Sequence, residues 1–176
     1  MKQRIWIPAK IALLLLLPMI LIIAGFFTRS CFEDTYYGEL KVLYQNLRET
    51  KGKKIVVIGN SNIAFGVDSE LMEAEGKAAG LDYHVVNFGL YGTIGSKAML
   101  DIAYDSIGEG DLVIFAPEPE TLAYSLYFNG QEIWRAADSC FDLALAASKK
   151  NLGSMAGSYL AYVQDKFPYL LSSQMA

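Results

Sequence analysis

The sequence predicts an α/β domain on a parallel sheet with helices on its faces, preceded by one transmembrane helix. Short, unbroken apolar runs recur at "KIVVIGN", "YHVVNFG" and "GDLVIFAPE", and helical periodicity fills the two intervals between them. A strand covered on both faces is apolar throughout rather than alternating, and strand–helix–strand–helix–strand order feeds right-handed crossovers in a parallel sheet. The transmembrane helix is predicted by an uncharged stretch from Ile11 to Phe27. At 176 residues, 53% hydrophobic and 19% charged, the chain is too apolar for a disordered one and has room for one modest domain.

The apolar stretch lies at the lower end of the roughly 17 to 25 residues a spanning helix needs. Lys2, Arg4 and Lys10 precede it and Arg29 follows, a bias that predicts a cytoplasmic amino terminus and an extracytoplasmic main domain. A cleaved signal peptide wants a shorter apolar core and small residues at the cut, where Arg29 stands, so an uncleaved anchor is preferred. A lipoprotein through Cys31 ranks third, because Thr28, Arg29 and Ser30 are a poor approach to it. The expected organisation is an anchor at 1–30, a connecting helix within 31–52 and an α/β domain at 53–176.

Residues 1–30 hold basic but no acidic side chains, so the rest of the chain is more acidic than the overall net charge of −4, and no nucleic-acid partner is expected. Cys31 and Cys140 are expected far apart and unpaired. One histidine and two cysteines make no metal cluster, and no cofactor is expected.

Between anchor and first strand, Tyr37, Leu40, Tyr44 and Leu47 share one side of a helix. Asp68 or Ser69 caps a helix through "SELMEAEGKAAG", which exits at Gly80, and Met99, Ile102, Ala103 and Ile107 form the apolar side of the next. Beyond Glu120 the chain reads as helical, broken at Asn129-Gly130 and Gly153, with no further strand. Three strands make a narrow sheet, so it is expected to be incomplete.

Open parallel sheets bind ligands beyond the carboxyl ends of their strands. The residues there are Gly59-Asn60-Ser61-Asn62, Asn87 to Gly92, and Ala116-Pro117-Glu118. A small turn eased by Gly59 would project the Ser61 hydroxyl at the rim, and Gly92 would bring a backbone N–H for an oxyanion. Asn62, Gly89 and Glu118 are the candidates for substrate contact, completing an acyl-transfer constellation. Plainer readings stand beside these. A serine after a strand is commonly a turn residue, Gly89, Gly92 and Gly95 shape a loop or cradle a phosphate, and Glu118 is a solvated carboxylate. Tyr124, Tyr127, Phe128 and Trp134 fill core more readily than they line a sugar groove.

At "VVIGNSNIAFGVD" and "VVNFGLYGTIG" the chain resembles the SGNH, or GDSL-like, hydrolase superfamily, its membrane-anchored bacterial members and the related teichoic-acid D-alanine transfer proteins. The resemblance spans about Lys54 to Glu120. It implies a flavodoxin-like, three-layer sheet with Ser61 as nucleophile and Gly92 as oxyanion donor. It also implies a membrane-anchored serine esterase or O-acyltransferase acting on acylated cell-envelope carbohydrate. Three departures accompany it: Gly-Asn-Ser for Gly-Asp-Ser, "APEPE" for Gly-x-Asn-Asp, and no late Asp-x-x-His. Serine needs a base, and His84 opens the second strand about 10 Å from the rim. The chain is therefore expected to be a C-terminally truncated member with little activity, the alternative being a catalytically inactive envelope interaction module of the same fold.

Overall fold

The computed structural model describes residues 3–117 and 128–172, which leaves Glu118, Tyr124 and Tyr127 outside the described residues. The three apolar runs form β1 (Lys54–Gly59), β2 (His84–Gly89) and β3 (Leu112–Ala116), all parallel, in the order β2-β1-β3. Val56 stands opposite Val86 on one side and Val113 on the other. As the middle strand, β1 buries Val56 and Ile58 completely, which is why it is apolar at every position between its ends.

The edge strand departs from the expected architecture. Leu112, Val113 and Ile114 are 51%, 43% and 44% exposed, so successive residues on both faces of β3 lie open. The molecule is thus a mixed α/β domain on a small, open, three-stranded parallel sheet. The expected flavodoxin-like, three-layer arrangement is corrected accordingly, because among the described residues the helices cover β1 and β2 and leave the first three residues of β3 open.

Helix α2 (Tyr36–Glu49) begins where the Thr35 hydroxyl accepts the N–H of Tyr37, and it buries Leu40, Tyr44 and Leu47 in the core. Short α3 (Ser61–Gly66) and α4 (Ser69–Ala78) lie along β2, with the Asp68 carboxylate capping α4 through the N–H of Leu71. Helix α5 (Ser96–Ala103) follows a tight turn at Gly92–Ile94 and returns beside β1, burying Met99, Ile102 and Ala103. Asn129 caps α6 (Gly130–Ala136), which packs on α7 (Phe141–Ser172). That approach needs a glycine: a Cβ on Gly130 would lie 2.4 Å from the Ser158 hydroxyl oxygen and 2.6 Å from the Ser154 carbonyl oxygen. Helix α7 kinks at Asn151 (φ −132°, ψ 33°), two residues before the expected break at Gly153. The Asn151 carboxamide donates to Asp101 at 2.7 Å and accepts from Lys97 at 2.8 Å, binding the kink to α5.

The amino-terminal stretch forms α1 (Gln3–Phe26). Among the described residues no helix is long and apolar enough to cross a membrane. This overturns the expected anchor, the membrane partner, and the single-pass topology with a cytoplasmic amino terminus and an extracytoplasmic domain. The end of the apolar stretch belongs to the domain instead. Phe26 is 5% exposed and packs edge-on against Trp134, and a Cβ on Gly25 would touch Val163 at 3.5 Å.

A buried polar node fixes that junction. Asp138, with no exposed surface, accepts hydrogen bonds from the Lys166 ammonium at 2.6 Å, the Tyr162 hydroxyl, the Cys31 backbone N–H at 2.7 Å and the Ser30 hydroxyl at 3.3 Å. Ser139 beside it takes the left-handed conformation (φ 61°), and its hydroxyl donates to the carbonyls of Phe26 and Thr28. Breaking a buried pair strands one charge, whereas replacing both partners with apolar groups is often neutral. Asp138→Ala should therefore destabilise the chain by about 3–5 kcal/mol in urea unfolding, and Asp138→Leu with Lys166→Met should recover the part due to the stranded ammonium, the Tyr162 hydroxyl and Cys31 N–H remaining unanswered. A double variant no more stable than the single one would refute the ion-pair account.

Candidate functional site

The carboxyl ends of β1 and β2 finish in glycine because α3 lies directly on them. A Cβ on Gly59 would sit 2.3 Å from Ile63 Cγ1 and 2.7 Å from the Ala116 carbonyl oxygen. One on Gly89 would sit 2.5 Å from the Ala64 backbone nitrogen. Close approach therefore explains Gly59 where a tight turn was expected; the positive-φ glycines are Gly52, Gly80, Gly95 and Gly110. The Asn87 side chain fastens the same helix. Its Nδ2 donates to the carbonyls of Ile63 at 2.9 Å and Val67 at 3.1 Å, and its Oδ1 accepts the Gly89 N–H at 3.0 Å.

This packing brings the two strand-end loops together. The Leu90 N–H donates to the Gly59 carbonyl at 3.2 Å. Between the loops lies Asn60, 5% exposed, whose Oδ1 accepts the buried Ser96 hydroxyl at 3.4 Å. Its Nδ2 makes no hydrogen bond among the described residues and lies 3.7 Å from where a Cβ on Gly92 would stand. Ser61, half-buried, opens α3 next to it, and Asn62 is exposed one residue on. Ser61 and Gly92 thus flank the same buried carboxamide, Gly89 lies under α3, and Glu118 falls outside the described residues.

His84 is at the other end of the sheet, opposite Lys54, with its Nδ1 3.1 Å from Glu73. Lys77 first, then the Val85 N–H, hold the Glu73 carboxyl down to about 2. Trp134 is core: its Nε1 donates to the Met155 carbonyl at 2.7 Å and its ring stacks on Tyr162.

An aromatic strip leaves the rim that sequence reasoning missed. Phe65, 74% exposed on α3, meets Tyr91 at 6.0 Å between ring centroids; Tyr91 meets Tyr36 at 4.6 Å, and Tyr36 meets Tyr37 at 4.1 Å. Tyr91 within the rim loop was the one local signal for it, since Tyr36 arrives from an element far away in sequence.

No family model, no curated protein and no solved structure matches the chain. The resemblance to the SGNH superfamily is therefore withdrawn, and with it the truncated-member, esterase, acyltransferase and inactive envelope-module readings. The glycines of these two blocks are accounted for by the seating of α3 on the strand ends, so they identify packing without identifying a family.

Overpacking a tight contact costs typically about 1–3 kcal/mol. Because Gly89 faces backbone, which yields less than a side chain, Gly89→Ala should lose stability at the top of that range, whereas Gly66→Ala, with open space around it, should not. Equal denaturation midpoints for the two variants would disprove the close approach.

Proposed function

We propose that the chain is a ligand-binding domain whose site is the rim beyond β1 and β2, and that the ligand offers a carboxylate or phosphoryl oxygen to the Asn60 carboxamide. One observation carries this reading: a nearly buried amide whose Nδ2 has no hydrogen-bond acceptor among the described residues. Such a group costs about 1–3 kcal/mol, and native proteins keep few of them without a reason. A ligand oxygen would remove that cost. The position agrees with the general rule for parallel sheets.

Ser61 follows Asn60 at the start of α3, Gly92 lies against the Asn60 carboxamide, and Asn62 is exposed one residue on. Charge plays little part in this binding, since these contacts are neutral donors. Sodium acetate and inorganic phosphate, titrated separately into the ¹⁵N-labelled full chain at constant ionic strength, should shift the Asn60 side-chain amide together with the Ser61 and Gly92 backbone signals. Asn60→Asp, which exchanges donors for an acceptor, should abolish the response. Shifts that persist in Asn60→Asp, or that avoid these residues, would end the proposal.

A further inference from the structure

A second site lies at the far end of the aromatic strip from the rim, in a cavity of about 590 Å³ where the start of α2 faces α6 and α7. We propose that it binds an organic cation with a planar or apolar body. Its volume is within the range of roughly 300–1,000 Å³ usual for small-molecule sites. Phe32, Tyr36, Tyr37 and Tyr169 wall it, with the Phe32 and Tyr169 ring centroids 5.3 Å apart.

Arg135 and Asp165 supply the charge, paired at 2.5 Å. The guanidinium is answered twice, by Asp165 and by Glu132 at 2.7 Å, which leaves these three side chains with one net negative charge. Asp165 Oδ2 takes both the Arg135 and Gln131 hydrogen bonds, while Oδ1 accepts none among the described residues. Burial pushes the Asp165 carboxyl up, but its hydrogen bonds with Arg135 and Gln131 outweigh that and hold it below the ordinary range. It is thus charged at neutral pH. The adjoining cavity, which shares Thr35 and Tyr36, bears Glu33, Asp34 and Glu39 against the one cation Lys41, with no salt bridge to any of these carboxylates among the described residues.

Together these features select the sign and body of the ligand. An anion would meet a guanidinium already neutralised and a surplus of carboxylates. A cation meets the Asp165 oxygen that accepts no hydrogen bond among the described residues, within a wall of aromatic rings, whose quadrupoles attract positive charge. Among the described residues no group of histidine, cysteine and carboxylate side chains could hold a metal ion, and rings are poor company for a hard cation. An organic cation remains.

Benzamidinium chloride and sodium benzoate are the probes, followed by ligand-observed NMR with the full chain at constant ionic strength. Benzamidinium should bind, and benzoate should bind at least about tenfold more weakly. Removing the Asp165 charge or the Tyr36 ring, by Asp165→Asn or Tyr36→Leu, should each weaken benzamidinium about tenfold, the order expected for a charge-assisted or cation–π contact. Asp82→Asn, at an exposed remote position, and Asn60→Asp, at the rim, should leave it unchanged. Benzoate bound as tightly as benzamidinium, Asp165→Asn binding like the unaltered chain, or no binding of benzamidinium at millimolar concentration would each overturn the assignment. Because Asn60→Asp reports on the rim alone, failure of one site is distinguishable from failure of the other.

Discussion

The seating of α3 on two glycine-ended strands is the contact on which the rim depends. Gly59 and Gly89 let the backbone of a six-residue helix reach the sheet, and Asn87 binds that helix through its carbonyls. Such a helix is too short to persist by its own hydrogen bonds and owes its place to tertiary contacts. Ser61 and Phe65 are positioned as a result, and Asn60 is pressed between the two loops. A larger residue at either glycine would lift the helix and disperse all three.

Two buried polar sites obey the same energetics with opposite outcomes. Around Asp138 the charge is answered by an ammonium, a phenol, a hydroxyl and a backbone amide, and burial first, then Asp138, pushes the Tyr162 phenol well above its usual range. That node is complete, and it joins α1 and the following segment to α6 and α7. The Asn60 side chain has one long hydrogen bond among the described residues and donors left over. A network with all partners present specifies structure, whereas one lacking a partner marks a place where something else can bind.

Helix α2 connects the two regions. Its inner side enters the core through Leu40 and Leu47, while its first turn presents Tyr36 to Tyr91 at the rim and Tyr37 to Arg135 near the second cavity. The spacing that made this helix readable is the spacing of its buried side. Its aromatic start was equally plain in the sequence, but nothing local indicated what those rings would face.

What the sequence by itself determined is what depends on neighbours along the chain. Runs such as "KIVVIGN" became strands, Asp68 capped α4 and Gly80 left it in the left-handed conformation, because branching, capping and φ preference act within a few residues. Tertiary structure alone decided that the start of β3 would lie uncovered, that the end of α1 would be held in the domain by Trp134 and Val163, and that Asn60 would be nearly sealed from water. Each of those outcomes is set by burial, which depends on the elements that meet in space. The glycines at the strand ends show the difference most plainly: their positions were legible, but the helix whose approach requires them became visible only in the folded chain.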